Sequence, residues 1–293
     1  MRSSLKVINA NRKKEIFSIA KVYRSARKAG ASRKVAEKIA MTIEAEAYPG
    51  ITTSEIFRRV RELLRQQSSV AAMRFSLKEG MRRMGPTGFP FEKFAAGIFQ
   101  ELGFEVLINQ RLPGSCFDDY EVDFLAQKKS FVYVGECKYK NFAGEMVHLQ
   151  EILANHARFS DILKGPYFKT EKYRNCKVSA IVVTNAKFAG PAVKYSSCAE
   201  IDLLGWKYPK NNGLESLIEK YNLYPITILP SLNKQLKEVF VSQGIMLVED
   251  VAKIDPQKFC IKFKISHGQL CRLIEEAKVL LNEKIKEQKD IKI

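Results

Sequence analysis

Two hydrophobic periodicities divide the chain. In the first 80 residues apolar positions recur at helical spacing: Ile16, Phe17, Ile19, Ala20, Tyr23 and Ala26, then Val35, Ile39 and Ile43, which predicts amphipathic helices behind a short opening strand. After Tyr48-Pro49-Gly50, the Thr52-x-x-Glu55 capping box predicts a third helix with Ile56, Val60 and Leu63 on one face. A fourth is expected over about residues 69–81. Beyond residue 120 the period changes to two: VDFLA alternates, a Gln-Lys-Lys-Ser turn follows, and FVYVGECKY is β-branched and aromatic, which predicts a hairpin. A helix over residues 149–163, an apolar strand over 178–184, a helix over 191–198 and a strand over 201–206 continue the alternation. From Leu229 onward the pattern is helical again, ending in a charged, frayed tail, KIKEQKDIKI. The expected fold is α/β, with a mixed central sheet flanked by helices. A mostly α unit precedes it (residues 1–85) and a helical module follows it (229–293). The breaker cluster Gly85-Pro86-Thr87-Gly88 marks the first boundary.

The hairpin carries the chemistry. Side chains alternate along a strand, so Glu136 and Lys138 share a face and Cys137 points to the other. Asp123, at the start of the preceding strand, is expected across from Glu136. Two carboxylates so placed are hard oxygen ligands suited to Mg²⁺ or Mn²⁺; Mg²⁺ keeps several waters and borrows phosphate oxygens from a substrate. Lys138 beside them is placed to orient or deprotonate an attacking water, which points to metal-assisted phosphodiester hydrolysis. Strand-end carboxylates are also ordinary solvated charges, and Glu-x-Lys alone is a weak signal.

Charge adds a second pointer. The net charge is +17 over 293 residues, and residues 1–85 hold 20 Lys and Arg against 7 Asp and Glu, an excess of 13. Such a field favours polyanions: nucleic acid or nucleotide phosphates. No apolar run approaches a membrane span of about 20 residues and MRSSLKVINANRKK lacks the apolar core of a signal peptide, so a cytoplasmic protein is expected. The six cysteines form no C-x-x-C pair, which argues against a zinc site or a disulfide scaffold.

Asp123, Glu136 and Lys138 form a D…ExK set, and in it the chain resembles the PD-(D/E)xK nuclease superfamily, within it the Mrr-like restriction endonucleases. Val122 stands where that superfamily usually has proline. The resemblance extends from Gly88 to Pro209 through GFPFEKFAAGIFQELGFEV, KYKNFAG, ARFSDI, VVTNAKFAGPAVKYSSC and IDLLGWKYP. It implies a Mg²⁺-dependent endonuclease acting on double-stranded DNA, in restriction or repair. Asp123, Glu136 and Lys138 would be catalytic, Glu92 would reach the metal through water, and Gln150 would contact substrate or water. Arg158 is expected to pair with Asp161 on its own helix, His148 and His156 are too far apart for a metal pair, and Trp206 and Tyr208 are expected in the core. The rival readings are a DNA-binding regulator with an inert core and a structure-selective resolvase.

The first unit resembles the ATP-cone through Val7, Phe17, Lys21, Arg24, the ARKAGAS stretch and the Ile51–Ile56 run. That resemblance implies ATP or dATP held by Lys13, Lys14, Lys21 and Arg24, with Val7 and Thr53 beside it. The loop departs from the family: Asn9-Ala10-Asn11-Arg12 stands in place of a Lys-Arg-Asp-Gly run. A basic unit without that loop would bind DNA phosphates instead. Gly244-Ile245 followed by Leu247-Val248-Glu249-Asp250 resembles a helix-hairpin-helix DNA-binding module, with Lys264 where its second hairpin has glycine. A homo-oligomer is expected.

Overall fold

The computed structural model describes residues 5–85 and 87–282. Pro86 of the breaker cluster and the charged tail lie outside the described residues. The chain divides into two compact units, one from Met1–Met81, Ile226–Lys237 and Val248–Ile293, the other from Arg82–Pro225 and Glu238–Leu247.

In the first unit, β1 (Lys6–Ile8) and β2 (Lys14–Ile16) form an antiparallel pair with Val7 opposite Glu15. Only one strand was expected, because KEI is short, polar and fully exposed and carries no alternation. Helices α1 (Ile19–Lys28), α2 (Arg33–Glu46) and α3 (Thr53–Gln67) start at Ser18, Ser32 and Thr52, whose side chains accept amides of the first turn. The Thr52–Glu55 capping box is present in both directions. The helix expected over 69–81 is two, α4 (Ser69–Phe75) and α5 (Leu77–Arg82). At the break the Ser76 hydroxyl donates to the Ala72 carbonyl at 2.8 Å, while the Ser76 amide is shared between the Ala72 and Met73 carbonyls. Small and branched side chains, Ala26, Ala36, Ile39, Ile43, Val60 and Leu64 among them, close the core.

The second unit opens with α6 (Phe89–Glu101) and a five-stranded mixed sheet. β3 (Glu105–Leu112), β4 (Tyr120–Lys128) and β5 (Phe131–Cys137) run antiparallel, and β7 (Lys177–Val183) and β9 (Asp202–Leu204) continue beside β5 in parallel. Between them lie β6 (Met146–Val147), α7 (Leu149–Lys164), β8 (Lys187–Phe188) and α8 (Gly190–Cys198), with α9 (Leu214–Tyr221) after the sheet. The β4–β5 turn is narrower than expected, two residues with Lys129 left-handed at φ 55°, so that Lys128 pairs with Phe131. Alternation sends Phe124 to one face, against Phe99 of α6, and Leu125 to the other, where it joins Ile162 of α7. On that second face Ala180 and Val182 of β7 pack with Ile152 of α7 and Ala192 of α8. Gly135 is required by close approach, because a Cβ there would enter the Phe124 ring. Trp206 is buried, as expected.

After residue 229 the helices are α10 (Lys234–Ser242), α11 (Val248–Ala252), α12 (Pro256–Phe263) and α13 (His267–Asn282), with α13 packed on α11 and α12. Among the described residues no helix is long and apolar enough to cross a membrane.

Candidate active site

Asp123 precedes Phe124, which pairs with Gly135, so the antiparallel register sets Asp123 against Glu136. The Asp123 carboxylate accepts the Cys137 amide at 2.6 Å, which ties the end of β4 to the end of β5. Glu136 is only 6% exposed, and a buried carboxylate requires charge compensation. Lys138 Nζ lies 2.6 Å from its Oε1, and the Arg158 guanidinium from α7 grips Oε2. A second Arg158 nitrogen donates to the Glu121 carbonyl at 3.2 Å.

The segment after β5 is held from both sides. The Lys138 amide continues the ladder to the Val183 carbonyl at 2.8 Å, and the Thr184 hydroxyl donates to the Lys138 carbonyl at 2.6 Å. Asn185 clamps the backbone of Lys140, accepting its amide at 2.8 Å and donating to its carbonyl at 2.9 Å. Lys140 Nζ in turn reaches Glu151 at 2.9 Å. Lys138 therefore leaves a rigid platform, which fixes where its ammonium can point.

Electrostatics mark the same spot. Burial, then the Glu136 charge, pushes the Asp123 carboxyl up to about 7. Glu92, in the first turn of α6, is raised by burial and then by Glu121 and Glu136. Glu151 behaves oppositely: burial raises it, but the His148 amide and Lys140 outweigh burial and bring it below the usual carboxylate range.

A cavity of about 370 Å³ opens beside these groups, lined by Glu136, Lys138, Gln150, Glu151, Asn155 and Arg158 among others. Asn155 is buried, and its side-chain oxygen accepts no hydrogen bond. Of the residues expected in the site, Glu136, Lys138 and Gln150 meet in this cavity, Asp123 adjoins it through Cys137, and Glu92 acts on the carboxylate pair through its charge. Arg158 does not pair with Asp161. Asp161 instead accepts the amides of Cys116 at 3.0 Å and Phe117 at 3.2 Å, which leaves Arg158 for Glu136. Sequence reasoning missed Arg158, Asn155 and Glu151. The available signal was spacing: Glu151, Asn155 and Arg158 lie three to four residues apart and, with Gln150 beside them, share one polar side of a helix.

Among the described residues no group of three or more His, Cys, Asp or Glu side chains is arranged to hold a metal ion. One buried carboxylate, one half-buried carboxylate and a lysine do not fit an all-protein cage such as structural zinc requires. They fit an ion that takes one or two carboxylates and completes its shell with water and phosphate oxygens, as Mg²⁺ does.

The residues expected to hold adenine nucleotide lie in the first unit. Val7 is buried, Thr53 opens α3, and Ile8 bridges to Thr52, so β1 lies beside the start of that helix. Lys13 and Lys14 are exposed, Lys21 Nζ lies 3.9 Å from Glu15, and Arg24 Nε donates to the Ala20 carbonyl at 3.2 Å. The loop between the strands closes on itself. Asn9 Oδ1 accepts the amides of Asn11 at 2.9 Å and Lys13 at 3.0 Å, its Nδ2 donates to Glu15, and the Arg12 amide goes to the Asn9 carbonyl. Lys264, in the glycine place of the helical module, is left-handed at φ 52° and its amide donates to the Cys260 carbonyl.

Residues 224–281 match the family model described as AF1548-like, C-terminal. An uncharacterized protein of Archaeoglobus fulgidus is 32% identical over 186 residues, spanning 64% of this chain and 99% of that one. This chain belongs to the AF1548-like family. The crystal structure of AF1548, a protein of unknown function, superposes with a TM-score of 0.57 at 30% identity, over 67% of this chain and all of that one. About a third of this chain thus has no counterpart in these family members. The MspJI restriction endonuclease, solved with a 27-mer oligonucleotide, gives a TM-score of 0.35 at 12% identity over 73% of this chain and 44% of that one, a likeness too slight to bear on the reading.

Proposed function

We propose that the chain is a Mg²⁺-dependent DNA endonuclease of the Mrr-like, PD-(D/E)xK kind, acting on double-stranded DNA. The observation that carries this reading is the pairing of Asp123 with a buried Glu136 on adjoining strands, with the Lys138 ammonium 2.6 Å from that carboxylate. When bound, Mg²⁺ would supply Lewis-acid polarisation of the scissile phosphate and a more acidic water. Asp123 and Glu136 would hold it, and Glu92 would engage its water shell. Lys138, its backbone held by Val183 and Thr184, would orient the attacking water through its ammonium. Gln150 would contact substrate or water from the opposite wall of the cavity.

In this reading residues 1–85 form an ATP-cone-like unit, 88–228 the nuclease domain and 229–293 a helical DNA-binding or assembly module. The 13 excess positive charges of residues 1–85 favour phosphate contact. An adenine nucleotide there would be held by the Lys13, Lys14, Lys21 and Arg24 side chains, because the amides of Asn11, Arg12 and Lys13 are already taken within the loop. Calorimetry with ATP and dATP separates the two ligands: a bound nucleotide at a hundredfold excess over its Kd stabilises by about 2.7 kcal/mol, and no heat at millimolar concentration leaves the unit to DNA. Plasmid cleavage with Mg²⁺, on methylated and unmethylated DNA, tests the activity. Intact plasmid under all of these conditions, with DNA still bound, would favour the regulator with an inert core.

A further inference from the structure

The polar groups around Glu136 balance without any metal. With Asp123 ionised, the Asp123–Glu136 pair brings two negative charges, Lys138 and Arg158 two positive ones, and both oxygens of Glu136 are engaged, one by each cation. A divalent cation held by the same carboxylates would raise the local charge from zero to +2. Each Glu136 oxygen already accepts from a cation, so an ion bound there competes with Lys138 and Arg158 for the same carboxylate. Lys138 is tethered two residues from Glu136 along the chain, so its ammonium stays within reach of Oε1. Arg158 comes from a different element, α7, lines the same 370 Å³ cavity, is part-exposed, and also donates to the Glu121 carbonyl at 3.2 Å.

We propose that Arg158 is a phosphate-binding residue held in reserve by Glu136, and that it exchanges with the metal. Metal uptake displaces the guanidinium from Oε2 into the cavity. There its planar fork matches two non-bridging oxygens of a DNA phosphodiester, a geometry that lysine cannot reproduce. The phosphodiester in turn offsets part of the charge that the ion brings. This inference rests on the metal assignment to Asp123 and Glu136.

Mn²⁺ binding by the full chain, followed by calorimetry without DNA, and DNA affinity in Ca²⁺ separate the two. Arg158→Ala is expected to tighten Mn²⁺ binding at least fivefold, because the competing cation is gone, and to weaken DNA affinity in Ca²⁺ about tenfold. Arg158→Lys keeps the charge without the fork: Mn²⁺ affinity near wild type with DNA affinity still reduced is the expected result, and it serves if the alanine variant does not fold. Unchanged or weaker Mn²⁺ binding in a folded Arg158→Ala protein, or wild-type DNA affinity in both variants, overturns the exchange and makes Arg158 a structural counterion. A wild-type protein that takes up no Mn²⁺, with Glu136→Ala indistinguishable from it, overturns the metal assignment itself and the exchange with it.

Discussion

Glu136 and Asn9 each sit beside a short antiparallel pairing of strands, and each is surrounded by lysine and arginine. At Asn9 one side chain satisfies two amides and a carboxylate, and the amides of Asn11, Arg12 and Lys13 are all taken within the loop. Around Glu136 the satisfaction is ionic and comes from long side chains on separate elements, and a cavity of about 370 Å³ opens beside them. The contrast teaches that density of charge does not make a site. A loop that pairs its own donors presents only side-chain tips, suited to a diffuse polyanion. A buried carboxylate held by side chains from separate elements presents a site that a competing cation can enter.

The hardest test of that contrast is at the carboxylates. Asp123→Ala, Glu136→Ala and Lys138→Ala should each lower plasmid cleavage about 10³-fold, a loss of several kcal/mol of transition-state stabilisation, with DNA binding in Ca²⁺ nearly intact. Wild-type cleavage by Glu136→Ala would remove the site from consideration. At the other pole, replacing Arg12, Lys13 and Lys14 together by Glu should reduce the slope of log affinity for DNA against log salt by about 2.7, roughly 0.9 for each phosphate no longer neutralised. An unchanged slope would mean that the basic strands do not touch DNA.

A pH series sharpens the comparison from the side of stability. The Asp123 carboxyl is raised to about 7 by burial and by Glu136, so the metal-free folded protein keeps a proton that the unfolded chain releases near pH 4. Ionisation therefore costs stability progressively as pH rises from about 4 to about 7, and fully above 7. Asp123→Asn removes that cost. Its melting temperature without metal should match wild type near pH 4 and exceed it at pH 8; a gap that narrows with rising pH would contradict the burial argument. The smallest effect belongs to the loop: Asn9→Ala should cost about 1 kcal/mol of stability to thermal or urea unfolding, since its hydrogen bonds are exposed, and it should leave cleavage unchanged.

Much was legible in local pattern. Residues 122–126 and 131–137 alternate with a period of two, so the hairpin and the shared face of Glu136 and Lys138 follow from the sequence. Thr52 and Glu55 announce the start of α3 three residues apart. β2 was not legible, because Lys14-Glu15-Ile16 has no apolar face and is a strand only through its pairing with β1. Neither was the break at Ser76, where one hydroxyl competes for the Ala72 carbonyl inside a continuous helical pattern.

Asp123, Glu136 and Lys138 were found from the sequence by themselves, since strand periodicity and a short turn bring residues 13 positions apart to one edge. Arg158 was assigned to the wrong carboxylate. Helical spacing offers it Asp161, three residues away, but the amides of Cys116 and Phe117 reach Asp161 from a distant loop. With that acceptor engaged, the buried charge of Glu136 is the stronger attraction for the guanidinium. Covalent spacing sets which groups can meet along one element; which of several acceptors a long cation takes is decided by burial and by competing donors, and those exist only once α7 has packed on the sheet.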